Sequence, residues 1–141
     1  MSILIQLFTA FLGSLGFALL FGVRRRHLLF AALGGMLAWG VYLAMDRWLA
    51  MNFLSCLTAS VFAVGYAELM ARLRKLPAIL FTVPAIIPLV PGSTLYYAMS
   101  EAVQGDLAQA RAFGSETLVA ALAIAGGISF AIVFRELQTK R

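Results

Sequence analysis

The residues most able to do chemistry stand together between positions 82 and 94, "TVPAIIPLVPGST". Pro84, Pro88 and Pro91 interrupt an apolar run that Pro77 opens, so all four prolines of the chain fall in it. A proline has no backbone donor and clashes with the carbonyl four residues back. In a regular helix these three would free the carbonyls of Leu80, Pro84 and Ile87. Gly92 then permits a turn, and Ser93 or Thr94 is suited to cap a second helix starting at Leu95. The uncapped N–H groups at such a start, with the positive end of the helix dipole, hold a carboxylate. Freed carbonyls hold water or a cation. Pro84, Pro88, Pro91, Gly92, Ser93 and Thr94 are therefore the candidate substrate-binding set. Tyr96 is added as a hydroxyl that reaches a ligand or anchors at the membrane interface. The alternative for the whole segment is a proline-kinked structural helix.

A second group lies on the preceding apolar run. Glu68 is an acid close to a membrane boundary, either a proton-path residue or the partner of Arg72 one helical turn on. Ser55 and Thr58 add small hydroxyls that line a polar path or bond between helices. No other constellation carries chemistry. Cys56 is the single cysteine and His27 the single histidine. No metal-ligand cluster, nucleophile–base pair or phosphate loop is present in the pattern, so the chain is expected to be neither an enzyme nor a cofactor binder.

The elements that position these residues follow from composition. Of 141 residues, 62% are hydrophobic and 12% charged, against about 45–50% and 25% for a soluble domain. A small domain has too little interior to hide that excess. The expected fold class is an all-α integral membrane protein in one transmembrane domain, residues 1–141. A span needs about 20 apolar residues. Five stretches qualify: 2–23, 28–45, 49–71, 76–99 and 117–134. The fourth is the proline run, whose break near residue 88 would sit near the bilayer midplane. The polar stretch 100–116 is expected to extend helix four and add a short surface helix.

Charge gives the orientation. Arg24, Arg25, Arg26, Arg72, Arg74, Lys75, Arg135, Lys140 and Arg141 fall on one side of a five-span layout, and only Arg47 and Arg111 on the other. Basic loops face the cytoplasm, which puts the N-terminus outside and the C-terminus in the cytoplasm. The net charge of +5 is explained by topology and does not call for nucleic acid. Trp39, Tyr42 and Trp48 are placed as an outer aromatic belt, and Asp46, Glu101, Asp106 and Glu116 as solvated loop acids. Ala121, Ala125 and Ser129 form a small-residue ridge for helix packing.

The stretch "LPAILFTVPAIIPLVPGSTLYYAM", a short polar segment and one last helix resemble the C-terminal membrane half of the threonine/serine exporter family. The likeness is closest to the small membrane subunit of its split two-component form. Ala85 departs from the pattern, where a glycine is expected. The resemblance implies a secondary-active exporter of small carboxylate-bearing metabolites, threonine and serine or a dicarboxylate such as succinate, in the inner membrane. It implies a larger membrane partner subunit, contact with lipid and a homo- or hetero-oligomer. The alternatives are a passive channel and a non-transporting assembly subunit.

Overall fold

The computed structural model describes residues 2–139. Lys140 and Arg141, counted in the charge asymmetry, lie outside the described residues. Every regular element among the described residues is helical: α1 (Ile3–Leu20), α2 (Arg25–Leu49), α3 (Asn52–Arg74), α4 (Ile79–Ile86), a 3₁₀ turn (Ile87–Leu89), α5 (Gly92–Gln104) and α6 (Leu107–Thr139). Four of these helices are long and apolar enough to cross a membrane, and a fifth span results if the bent α4–α5 pair is one crossing.

Local chemistry sets the ends. Ser2 Oγ accepts from the Ile5 amide and opens α1. At its other end the Gly22 amide reaches the Leu19 carbonyl and the Val23 amide reaches Ala18. This pairing closes a helix when the residue after the cap is left-handed, as Gly22 is at φ 71°. The connection between α5 and α6 likewise uses a left-handed glycine, Gly105 at φ 88°. Asp106 Oδ1 then accepts from the Gln109 amide at 3.0 Å and caps α6.

The interior is built from small residues. Ala38, Ala59, Ala63, Ala85, Ala120 and Ala123 form one buried cluster, and Ala18, Ala31, Ala67 and Ala71 enter another around Phe81. Large apolar side chains such as Leu4, Leu20, Leu29, Leu118, Leu122 and Phe130 are exposed. This inverts the soluble pattern and suits a multi-pass membrane protein, where lipid solvates leucine and close backbone approach holds helices together.

α4 is wedged among α1, α2 and α3, while α3 packs along α6. α5 leans on α6 and buries none of its residues. Gly35 of α2 is the tightest approach. A Cβ there would fall on Ser14 Oγ of α1 and 3.0 Å from the Pro84 carbonyl oxygen of α4. Ala85 is fully buried, and its methyl carbon stands 3.3 Å from where a Cβ on Gly34 would lie. The side chain at that position is thus packed into α2.

Two sequence expectations are corrected here. The stretch 100–116 holds no separate surface helix: α5 runs to Gln104 and α6 begins at Leu107 and continues unbroken. On α6 the buried face is Ala120, Ala123, Ile124 and Gly127, while Ala121, Ala125 and Ser129 are exposed. The contact with α3 sets this rotation, because a Cβ on Gly127 would lie 2.8 Å from the Leu57 carbonyl oxygen.

Candidate functional site

Pro84 sits inside α4, buried against α1 and α2. It cannot donate to the Leu80 carbonyl, and Pro88 cannot donate to that of Pro84. The chain tightens after Ile86 into the 3₁₀ turn. There the Val90 amide donates to the Ile87 carbonyl at 3.2 Å. Ile87 was expected to carry a freed carbonyl, and this bond corrects it.

Pro91 then adopts φ −77°, ψ 61°, the geometry of an inverse γ-turn. The Gly92 amide closes that turn onto the Val90 carbonyl at 2.7 Å. α5 starts at Gly92, with Pro91 as the cap residue and no side-chain cap. Ser93 and Thr94 therefore occupy the first turn and do not cap it. The physical reason is the γ-turn, which satisfies Gly92 and lets helical geometry begin three residues earlier than expected. The Leu95 amide bonds to the Pro91 carbonyl at 3.2 Å. The amides of Ser93 and Thr94 carry no hydrogen bond among the described residues, as expected of a first helical turn. The two helical pieces meet at a bend of 48°.

A cavity of about 160 Å³ lies at this bend. It has room for about five waters at ~30 Å³ each, the scale of a small metabolite. Pro88, Pro91, Ser93 and Thr94 of the candidate set line it, with Leu89 and Val90 between them. Pro84, Gly92 and Tyr96 stand outside its lining. Tyr96 is exposed and meets Tyr97 edge to face.

The opposite walls come from three other helices. α2 supplies Trp39 and Tyr42, α3 supplies Asn52 and Cys56, and α6 supplies Glu116 and Ala120. Trp39 and Tyr42 stack with ring centroids 4.8 Å apart. The Tyr42 hydroxyl donates to Asn52 Oδ1 at 3.3 Å, and Cys56 Sγ lies 3.4 Å from the same oxygen. Thr117 Oγ1 donates to Thr94 Oγ1 at 2.9 Å, tying α6 to the first turn of α5. Thr94 Oγ1 in turn lies 3.2 Å from the Pro91 carbonyl. Tyr42 is about 10 Å along α2 from Leu49 at 1.5 Å per residue, and Asn52 begins α3. The cavity therefore lies in the half of the bundle nearer the α2–α3 connection.

Sequence reasoning did not gather Trp39, Tyr42, Asn52 and Glu116 into one site. The available signal was the three-residue spacing of Trp39 and Tyr42, which puts both on one helix face, and Glu116 standing directly before the last apolar run. Both features were assigned instead to an interface belt and a solvated loop.

The second candidate group lies elsewhere. Glu68 Oε1 pairs with Arg135 Nη1 of α6 at 3.1 Å, with side chains 16% and 48% exposed. The pairing with Arg72 is corrected: the α3–α6 contact brings Arg135 to the carboxylate, and both line a separate cleft of about 310 Å³. Arg74 lies 4.0 Å over the Phe30 ring at the start of α2, so the basic ends of α2, α3 and α6 gather at one end of the bundle. Ser55 Oγ donates to the Met51 carbonyl, and Thr58 Oγ1 to Leu54 and Ser55. Both hydroxyls are turned onto their own helix. Among the described residues no group of three His, Cys, Asp or Glu is placed to hold a metal ion.

The long apolar helices mark a multi-pass membrane protein. The comparison with family models makes this specific. The model described as "Threonine/Serine exporter, ThrE" matches residues 6–134, and the chain belongs to that family. No curated protein and no solved structure matches.

Proposed function

We propose that the chain is one subunit of a secondary-active exporter of small carboxylate-bearing metabolites in the inner membrane, and that the cavity at the α4–α5 bend holds the cargo. The observation that carries this reading is the cavity itself, which joins Pro88, Pro91, Ser93 and Thr94 to polar groups from three other helices. The unbonded amides of Ser93 and Thr94 receive the cargo carboxylate, aided by the helix dipole. Non-helical backbone at membrane depth is tolerated where it lines such a cavity. With the basic ends in the cytoplasm, the N-terminus lies outside and the cavity lies in the outer half of the membrane.

Five crossings leave little protein to enclose a site and alternate access, and many transporters use two related halves. A larger membrane subunit of the same family supplies the second half, as in the split form of the family, with α5 as the natural contact because it buries nothing in this chain. Counterflow separates this function from its alternatives. Liposomes carrying the chain with its partner subunit should exchange external labelled threonine for internal unlabelled threonine. Flux without exchange indicates a channel. Full exchange by the partner alone indicates that this chain serves assembly only.

A further inference from the structure

Glu116 is the one carboxylate lining the cavity, and no lysine or arginine lines it. It stands there with the stacked Trp39–Tyr42 pair. Several other polar groups of the cavity are committed or are donors. The Tyr42 hydroxyl is given to Asn52 Oδ1, which also receives Cys56. That leaves the Asn52 amide nitrogen as a donor. The Thr94 hydroxyl is engaged by Thr117 and the Pro91 carbonyl. The Glu116 side chain makes no hydrogen bond or ion pair among the described residues. The cavity lining thus combines amide donors with a single carboxylate. The Thr117–Thr94 bond, one residue from Glu116, keeps the two in register.

We propose that Glu116 recognises the ammonium group of the cargo, so that the cavity selects a zwitterionic amino acid over a dicarboxylate. The inference rests on the cavity being the cargo site. An ammonium placed between Glu116 and the Trp39–Tyr42 pair gains a charge-assisted hydrogen bond and the attraction of the ring faces. A second carboxylate in the same place meets the charge of Glu116 with no lining cation to offset it. Glu116 is at the rim and exposed, so its removal leaves the helix packing intact.

The test is equilibrium binding of labelled threonine to the full chain with its partner subunit in liposomes. Unlabelled threonine, 2,3-dihydroxybutanoate (ammonium replaced by hydroxyl) and succinate compete. Threonine should compete at least about tenfold better than the other two, and Glu116→Gln should weaken threonine by about ten- to a hundredfold. Glu116→Lys should bind labelled succinate better than the native chain does. Equal competition by all three ligands on the native chain overturns the role of Glu116 and leaves the cargo site standing. So does native-like threonine affinity in Glu116→Gln. Failure of the native chain with its partner subunit to bind any of the three overturns the cargo site and the inference together. The ligand comparison uses the native chain, so it does not depend on how the variants fold.

Discussion

Gly35→Ala should be one of the most damaging single-methyl changes in the protein. The added carbon would coincide with Ser14 Oγ and lie 2.7 Å from Ser14 Cβ and 3.0 Å from the Pro84 carbonyl oxygen. Carbon atoms pack best at about 3.5–4.0 Å, so the overlap is about 1 Å. Ser14 is fully buried, and the Pro84 carbonyl belongs to backbone that proline restrains. Overpacking of this kind costs about 1–3 kcal/mol, and a fully buried side chain together with a backbone carbonyl places the change near the upper value. Gly40→Ala on the same helix is the control. Its Cβ would meet only Leu7 Cδ2 at 3.6 Å, an ordinary contact, and alanine is favoured over glycine in a helix by about 0.5–1 kcal/mol. Unfolding in detergent, followed by circular dichroism, should rank Gly35→Ala below native and Gly40→Ala at or above it. Ser14 Oγ is buried without a hydrogen-bond partner among the described residues, so Ser14→Ala alone should be neutral or stabilising. Ser14→Gly combined with Gly35→Ala should recover most of the loss, since it removes both serine atoms in the way. A Gly35→Ala protein as stable as Gly40→Ala would refute the claim that Ser14 of α1 and the Pro84 carbonyl of α4 close tightly on α2 at this point.

Gly127→Ala should cost about 1–3 kcal/mol in the same assay, because its Cβ would fall on Ser60 Oγ and 2.8 Å from the Leu57 carbonyl. Gly126→Ala, with open space at its Cβ, should not. Arg135→Gln should lower stability by no more than about 1 kcal/mol, the range for a pair exposed to solvent on one side. Exchanging the charges in Glu68→Arg/Arg135→Glu should restore it, whereas Arg72→Gln should leave stability unchanged. Thr94→Val should loosen the tie between α5 and α6 by removing the Thr117 bond. Its expected cost is about 1 kcal/mol, with a larger proportional loss in threonine counterflow.

Much of the architecture was legible because it depends on composition and on proline. Apolar length marks the helices, and the spacing of Pro84, Pro88 and Pro91 marks where α4 gives way to α5. What sequence could not supply was rotation. Ala121, Ala125 and Ser129 have ridge spacing as good as that of Ala120, Ala123 and Gly127, and only the approach of Ser60 and Leu57 selects the second face. The same holds for Glu68, where the local partner Arg72 was visible and the distant partner Arg135 was not. The start of α5 was misjudged because Ser and Thr are strong caps in general, while the γ-turn at Pro91 depends on a dihedral angle that sequence does not reveal. Much of the cavity's polar wall comes from Tyr42, Asn52 and Glu116. Each looks ordinary in its own segment, and their meeting is a consequence of tertiary packing.

The central claim is that cargo occupies the cavity at the α4–α5 bend. Cys56 is the chain's sole cysteine, so Cys56→Ala allows single cysteines to be placed as reporters. Labelling of Ser93→Cys by a small thiol reagent should slow as threonine is added, while labelling of Val103→Cys on the exposed end of α5 should not change. Equal rates at Ser93→Cys with and without saturating threonine would contradict the account.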